Sequence, residues 1–392
     1  MERRDDLEVT RMSHFVGIGL VLGFLLPHSS TIFLLVNPLL CVFYQLYKQN
    51  QFFYKNNWIV LAPILLTLLI NIPQGVSSKA IMSCFAIVLY FFCFPMVGKV
   101  KVPNIYLYFI LGFILLSQVA YAFGIGFMED LLNTYYPLSE EDTSGLHQQN
   151  TVNADNMLDF RLGGLYHNSN DCARALCILL AGFLALNDEK PIRKLLPFVI
   201  ISFYGVLLTG SRTGFAVASL VIIAYLFVDK RVSVGWRYGV TLSAILVFVY
   251  LIFVGSDSFR GFNVFDTGST DMKQETFRYY LSTENSIVRI LLGYLDTSRY
   301  DTSGSTSYVM TKFDSDYGSL IFSYGFVGFL SILFYFFTIF RKMESNGKIF
   351  FVVLLWMYSS TIVKSFRAFF VFMLLLSCVY WRHKKNNNVQ SI

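Results

Sequence analysis

Hydrophobic residues run along this chain in long stretches that are separated by short polar connectors and by two long polar segments. A helix needs about 20 apolar residues to cross the roughly 30 Å hydrocarbon core of a bilayer, and somewhat fewer where its ends snorkel. The pattern therefore predicts an all-α polytopic membrane protein with about 12 transmembrane helices. The predicted spans are Phe15 to Leu26, Thr31 to Tyr47, Asn57 to Asn71, Ala80 to Gly98, Asn104 to Gly124, Cys172 to Asn187, Leu195 to Thr209, Gly214 to Val228, Trp236 to Val254, Tyr317 to Phe340, Lys348 to Val363 and Phe366 to Trp381.

The distribution of charge predicts which side of the membrane each connector faces, because short loops rich in lysine and arginine stay in the cytoplasm. With both termini cytoplasmic, the short inner connectors hold most of the cations. The long segments 126–171 and 255–316 are acidic, and the first has one arginine, Arg161, against eight acidic residues. We expect both long segments to be extracytoplasmic loops on one working face.

Composition agrees with a single transmembrane domain over residues 1–392, since 55% of the residues are hydrophobic and 17% are aromatic. We expect the first apolar stretch to be retained rather than cleaved as a signal peptide. The net charge of +6 belongs to the cytoplasmic connectors and does not indicate nucleic-acid binding. The six cysteines show no metal-ligand spacing, so we predict no disulfide framework, no structural zinc and no cofactor.

One hairpin is predicted where Arg212 is the only charge between Leu195 and Val228, a stretch of 34 residues. A single helix of that length would extend about 51 Å, so the chain must fold back. The turn runs from Gly210 to Gly214, where glycine permits close backbone approach and the N-terminus of the next helix attracts anions. Ser211, Arg212 and Thr213 thus form a candidate anion-binding turn. The alternative is a tight turn whose arginine snorkels to lipid headgroups.

Other charged residues fall at the predicted outer ends of the spans. Arg161 is a candidate ligand-binding residue, with a surface ion pair as the alternative. Arg174, one turn into a span, is a further candidate, with snorkelling to lipid headgroups as the alternative. For Lys364 and Arg367, at the tip of a second hairpin between Lys348 and Trp381, snorkelling is the favoured reading because no glycine shapes that turn.

The second long loop contains three further features. Arg278 is a candidate binding residue, against a surface pair with Glu275. Residues 286–295 form a mostly apolar segment that suits an interfacial amphipathic helix. Asp314 and Asp316 precede a span, where Asp316 has either a helix-capping or a catalytic role. So short an acidic pattern is weak support for a metal, and we predict none.

Several of these motifs together resemble the O-antigen polymerase and O-antigen ligase superfamily, over about Arg161 to Leu330. They are Arg161-x-x-Gly164 with Asn168-Ser169-Asn170, Gly210-Ser211-Arg212-Thr213-Gly214, Arg278, and the acidic pair ahead of Tyr324-Gly325-Phe326-Val327-Gly328.

The resemblance implies transfer of a glycan from an undecaprenyl-pyrophosphate carrier at the outer face of the bacterial cytoplasmic membrane. In the family, the positions that match Arg212 and, more loosely, Arg278 are associated with the pyrophosphate of the donor. The ligases carry a His-Asn pair where this chain has Asp314-Ser315. That departure weakens the ligase reading.

The predicted function is therefore a metal-independent glycosyltransferase that polymerises polysaccharide repeat units, whether for O-antigen, capsule or another exopolysaccharide. Its predicted substrate-binding residues are Arg161, Ser211, Arg212, Thr213 and Arg278, and its predicted catalytic residues are Asp314 and Asp316. The expected substrate is an undecaprenyl-pyrophosphate-linked oligosaccharide, and a chain-length regulator and a flippase are the expected protein partners. The alternatives are an O-antigen ligase and a lipid-linked oligosaccharide flippase.

Overall fold

The structure, a computed structural model, describes residues 2–26, 39, 57–93, 100–135, 162–166, 168–229, 231–235, 237–239, 241–242, 281, 286–295, 316–359, 362–363 and 365–384. Within these ranges the chain is mostly α-helical and has no β-strand. The predicted all-α class is therefore confirmed for the part of the chain that the structure describes. The count of about 12 spans stays a prediction, because Thr31–Tyr47 and Trp236–Val254 lie largely outside these ranges.

Most helices match the predicted spans to within a few residues at their ends, but the first begins at Glu2, well before the predicted start at Phe15, and residues 126–135 of the predicted first loop are helical. They are α1 (Glu2–Leu25), α2 (Trp58–Asn71), α3 (Ser78–Cys93), α4 (Asn104–Phe123), α5 (Gly126–Tyr135), α6 (Ser169–Leu186), α7 (Ile192–Leu208), α8 (Arg212–Val228), α9 (Ile287–Leu292), α10 (Asp316–Arg341), α11 (Ser345–Lys348), α12 (Trp356–Ser359) and α13 (Phe366–His383). Short 3₁₀ helices cover Ile72–Gln74, Gly164–Tyr166 and Ile349–Leu355. The predicted span Lys348 to Val363 is thus divided between a 3₁₀ helix and α12.

Three helices among the described residues, α4, α6 and α10, are long and apolar enough to cross a membrane. Helices α2 and α8, parts of α1 and α3, and Ser345–Leu355 are apolar but shorter. Large apolar side chains on the outside of the bundle are exposed, including Ile105, Phe109 and Leu69. An apolar outer surface is what a lipid environment requires, so the fold is compatible with a membrane protein.

Helix α6 is the centre of the bundle, with 89% of its 18 residues buried. A helix that is apolar on all sides is buried on all sides, and α6 packs against α4, α7, α8 and α13. Phe183 of α6 stacks on Phe198 of α7 with ring centroids 3.7 Å apart. This central packing fixes where the two ends of α6 lie, and polar residues gather at both.

At one end of the bundle, here called the Asp188 end, polar contacts join the C-termini of α6 and α13. Asp188 Oδ1 accepts a hydrogen bond from Arg382 Nε at 3.0 Å, and its Oδ2 accepts one from Asn346 Nδ2 at 2.8 Å. The backbone N–H of Glu344 donates to His383 O at 2.9 Å. These contacts hold the end of α13 beside the end of α6 and beside the segment that follows α10.

The hairpin predicted between Leu195 and Val228 is confirmed. Helix α7 ends at Leu208, α8 begins at Arg212, and the two helices pack against each other. Helix α8 begins two residues before the predicted span because Ser211 caps it.

Helix α10 is kinked at Gly325, which has φ 65° and ψ −178° inside an otherwise regular helix. The carbonyls of Phe322 and Ser323 accept backbone hydrogen bonds from Tyr294 and Leu295, both at 2.9 Å. The segment after α9 therefore forms backbone hydrogen bonds with α10. Buried carbonyl groups need such partners, and here they find them within the protein. The predicted interfacial segment does form a short helix, and Ile287, Val288 and Leu291 on it are exposed.

Gly325→Ala is expected to destabilise the protein strongly. A Cβ at this position would overlap the backbone of Leu291 and Leu292, and the positive φ is strained for any other residue. We expect a loss of roughly 2–5 kcal/mol in the free energy of unfolding. Gly112→Ala is the matched control, because a Cβ there meets nothing within 4 Å and alanine favours the helix. Thermal unfolding of both variants in detergent checks the prediction, and equal melting temperatures would contradict it.

Candidate functional site

The predicted anion-binding turn lies at the opposite end of the bundle, here called the Asp316 end, between α7 and α8. Gly210 adopts φ 59°, the left-handed conformation that glycine tolerates and that reverses the chain. Ser211 then caps α8, since its Oγ accepts a hydrogen bond from Gly214 N at 3.2 Å. The same hydroxyl donates to Asn170 Oδ1 at 2.8 Å. The start of α8 is thereby joined to the start of α6.

Close packing holds this turn in place. A Cβ at Gly214 would lie 2.7 Å from Ala173 Cβ, so only glycine allows α8 to approach α6 this closely. Arg212 and Thr213, in the first turn of α8, stay partly exposed. The unpaired backbone N–H groups of a helix N-terminus favour negative charge, and a rigid frame fixes their direction. The turn thus presents the Arg212 guanidinium group and the Thr213 hydroxyl from a fixed position, whereas the Ser211 hydroxyl is buried and bonded within the protein.

Arg174 is buried one turn into α6, with 4% of its surface exposed. Its Nη2 pairs with Asp171 Oδ1 at 2.7 Å and donates to Ser365 Oγ at 3.3 Å. A buried arginine needs such partners, because desolvating its charge is costly. Arg174 consequently ties the start of α6 to the residue that precedes α13.

Arg367 is also buried, at 5% exposure, in the first turn of α13. It donates to the carbonyl oxygens of Gly23, at 3.3 Å, and Phe24 in the last turn of α1, where the helix dipole favours a cation. Its Cζ lies 4.0 Å from the centroid of the Tyr166 ring, a cation–π contact. Burial raises the pKa of Tyr166, and the Arg367 charge opposes that change. The phenol keeps its proton and donates to Phe24 O at 2.9 Å.

These side chains enclose a small cavity of about 20 Å³, lined among others by Tyr166, Asp171, Arg174, Ser365 and Arg367. That volume holds about one water molecule and is too small for a pyrophosphate. Arg174 and Arg367 therefore act in this structure by holding α1, α6 and α13 together. Arg212, at the start of α8, is partly exposed instead.

Asp316 is fully buried at the first residue of α10. Its Oδ2 accepts backbone hydrogen bonds from Ile362 and from Val363, the latter at 2.9 Å. The carboxylate anchors the connection between α12 and α13, a contact that the sequence did not predict.

The structure brings some of the predicted site residues to one end of the bundle. Ser211, Arg212 and Thr213 lie beside the start of α6. Polar side-chain contacts run from Asp171 through Arg174 to Ser365, close to the connection between α12 and α13 that Asp316 binds. Arg161, Arg278 and Asp314 lie outside the described residues.

Sequence reasoning did not include Arg174, Arg367 or Tyr166 in the predicted site. The available signal for the two arginines was a single charge near the start of each of two predicted apolar spans.

No group of three or more His, Cys, Asp and Glu side chains suited to a metal occurs among the residues that the structure describes. The chemistry available there is that of guanidinium groups, hydroxyls and backbone N–H groups. Such groups bind and stabilise oxyanions, and the guanidinium fork suits phosphate in particular.

No known family model matches this chain, and neither does any curated protein sequence. The fold and the site define a helical protein compatible with a membrane, with cationic side chains at both ends of its bundle.

Proposed function

We propose that this protein is a membrane glycosyltransferase that polymerises polysaccharide repeat units carried on undecaprenyl pyrophosphate. The observation that supports the proposal most directly is the N-terminus of α8, where Ser211 binds Asn170 and leaves Arg212 partly exposed. A donor whose leaving group is a pyrophosphate needs such a cation, because negative charge develops on that group as the glycosidic bond breaks.

The proposed orientation follows from the charge pattern of the sequence. The Asp316 end faces outward, with both long loops, and the Asp188 end faces the cytoplasm, where Lys190, Arg231 and Arg382 lie. Reaction at the outer leaflet then places the polar donor and acceptor in the aqueous phase, while the carrier lipid stays in the bilayer.

In the proposed reaction Arg212 and Arg278 neutralise the departing pyrophosphate. An acceptor sugar hydroxyl attacks the anomeric carbon, the bond from that carbon to the phosphate oxygen breaks, and the hydroxyl proton passes to a carboxylate. Asp314 and Asp316 were the two candidates for this carboxylate. The complete burial of Asp316 and its bonds to the 362–363 backbone favour Asp314 for a role that needs contact with substrate.

A deletion strain distinguishes this proposal from its alternatives. Loss of a polymerase is expected to leave single repeat units on the carrier in the outer leaflet. Loss of a flippase would leave them in the inner leaflet, and loss of a ligase would leave long polymer on the carrier. Extraction of lipid-linked glycans, sized by mass spectrometry and assigned to a leaflet with an impermeant reagent, gives the answer. Either of the last two results would contradict the polymerase proposal.

A further inference from the structure

A second polar cavity lies at the Asp188 end, far along α6 from the candidate site. It has a volume of about 610 Å³ and opens between the start of α4 and the ends of α6 and α13. Three cations line it, Lys101, Lys190 and Arg382. A basic cavity between apolar helices at a membrane surface suits the phosphate of a lipid headgroup.

The cations of this cavity differ in how far they are neutralised. Arg382 is paired with Asp188 and with Glu189, each at 3.0 Å. Lys101 and Lys190 have no ion pair with any acidic side chain in the described ranges. Burial lowers the pKa of Lys190, and the charges of Lys101, Arg382 and Lys194 lower it further. Positive charge is thus crowded here, and an anion would relieve it.

The remainder of the lining is largely apolar. Asn104 Nδ2 donates to Asn187 Oδ1 at 2.9 Å, so both amides are already engaged. Val100, Leu186 and Trp381 supply apolar walls, and tryptophan is a residue typical of membrane interfaces. The cavity therefore offers charge for a headgroup and apolar surface for the glycerol backbone.

An exposed apolar stripe leads away from this cavity along α4. It begins at Ile105, next to Asn104, and continues through Phe109. The side chains of Ile105 and Phe109 are 69% and 54% exposed. Gly112 adds open space and Leu116 extends the stripe, at the spacing of one helix face. An acyl chain lying along this stripe would extend from a headgroup in the cavity, whereas a soluble phosphate would leave the stripe unused.

We infer that this cavity binds the phosphate headgroup of an anionic phospholipid, through Lys101 and Lys190, with an acyl chain along the α4 stripe. This inference is independent of the proposed enzymatic function. It makes the protein's stability sensitive to the anionic lipid content of the membrane, since a ligand that binds the folded state stabilises it.

The test uses the purified full-length protein in detergent, with its melting temperature measured as lipid is added. Phosphatidylglycerol is expected to raise the melting temperature, while phosphatidylcholine with the same acyl chains and inorganic phosphate are not. Lys101→Ala/Lys190→Ala is expected to weaken phosphatidylglycerol binding about 30-fold, or roughly fivefold for each lysine. Arg193→Ala is the matched control, because this exposed cation at the same end lies outside the cavity.

Two results would overturn the inference. One is equal stabilisation of the double variant and the unchanged protein by phosphatidylglycerol. The other is stabilisation by inorganic phosphate alone that depends on the two lysines, which would identify a site for a soluble phosphate. If the double variant does not fold, Lys101→Gln and Lys190→Gln measured singly give the same comparison.

Discussion

Replacing Arg212 with alanine is expected to abolish long polymer in cells that depend on this protein. Under the proposed function this side chain meets the departing pyrophosphate, and removing one preorganised charged donor slows such reactions by about 100-fold to 1,000-fold. Arg212→Lys is expected to keep part of the rate, because lysine retains the charge but loses the two-pronged contact with phosphate. Glycan chain length on gels, at matched levels of membrane protein, is the measurement.

The control for Arg212 is a cation in a comparable exposed position that has no proposed role. Arg193→Ala removes one positive charge near the start of α7, at the Asp188 end. It is expected to leave chain length unchanged. If Arg212→Ala gives full-length polymer at normal protein levels, Arg212 does not stabilise the leaving group, and the proposed mechanism is wrong.

Replacing Asp316 with alanine is expected to cause a large loss of stability. The substitution leaves the buried N–H groups of Ile362 and Val363 without the oxygen that binds both. Each unsatisfied buried N–H costs roughly 1–3 kcal/mol, so the expected loss for the two groups is about 2–6 kcal/mol in the free energy of unfolding. A loss of that size is a considerable part of the total stability of a typical domain. Thermal unfolding in detergent, together with the yield of folded protein, measures it.

Asp316→Asn separates an anchoring role from a chemical one. Asparagine keeps one acceptor oxygen of the same shape and puts an amide NH2 group in place of the other oxygen. We expect this variant to be more stable than Asp316→Ala and to retain polymer synthesis. A stable Asp316→Asn protein that makes no polymer would instead show that the carboxylate takes part in the reaction.

The candidate site was predictable where its geometry is local. The Gly210–Gly214 turn follows from neighbouring residues, since glycine permits the reversal, Ser211 caps the helix and Arg212 is the only charge in a long apolar stretch. Capping and turn formation act over a few residues, so the sequence contains all the information they need. The prediction placed the start of α8 two residues too late because it did not assign Ser211 as the capping residue.

Contacts between distant parts of the chain were not predictable in the same way. Asp316 binds backbone at residues 362–363, and Gly293 packs against the kink at Gly325. Arg367 reaches the last carbonyls of α1, more than 300 residues earlier in the chain. No pattern within a short window identifies such partners, because they depend on which helices pack together.

The sequence by itself determined where most of the described helices lie and that the chain is helical and apolar. Those properties depend on runs of hydrophobic residues, and an apolar run of sufficient length forms a helix in lipid whatever its neighbours are. Only the tertiary structure decided which charged residues are buried together and which remain accessible. The packing of α1, α6 and α13 buries Arg174 and Arg367 against their partners, and the two side chains hold these helices together. Arg212, at the start of α8, stays partly exposed.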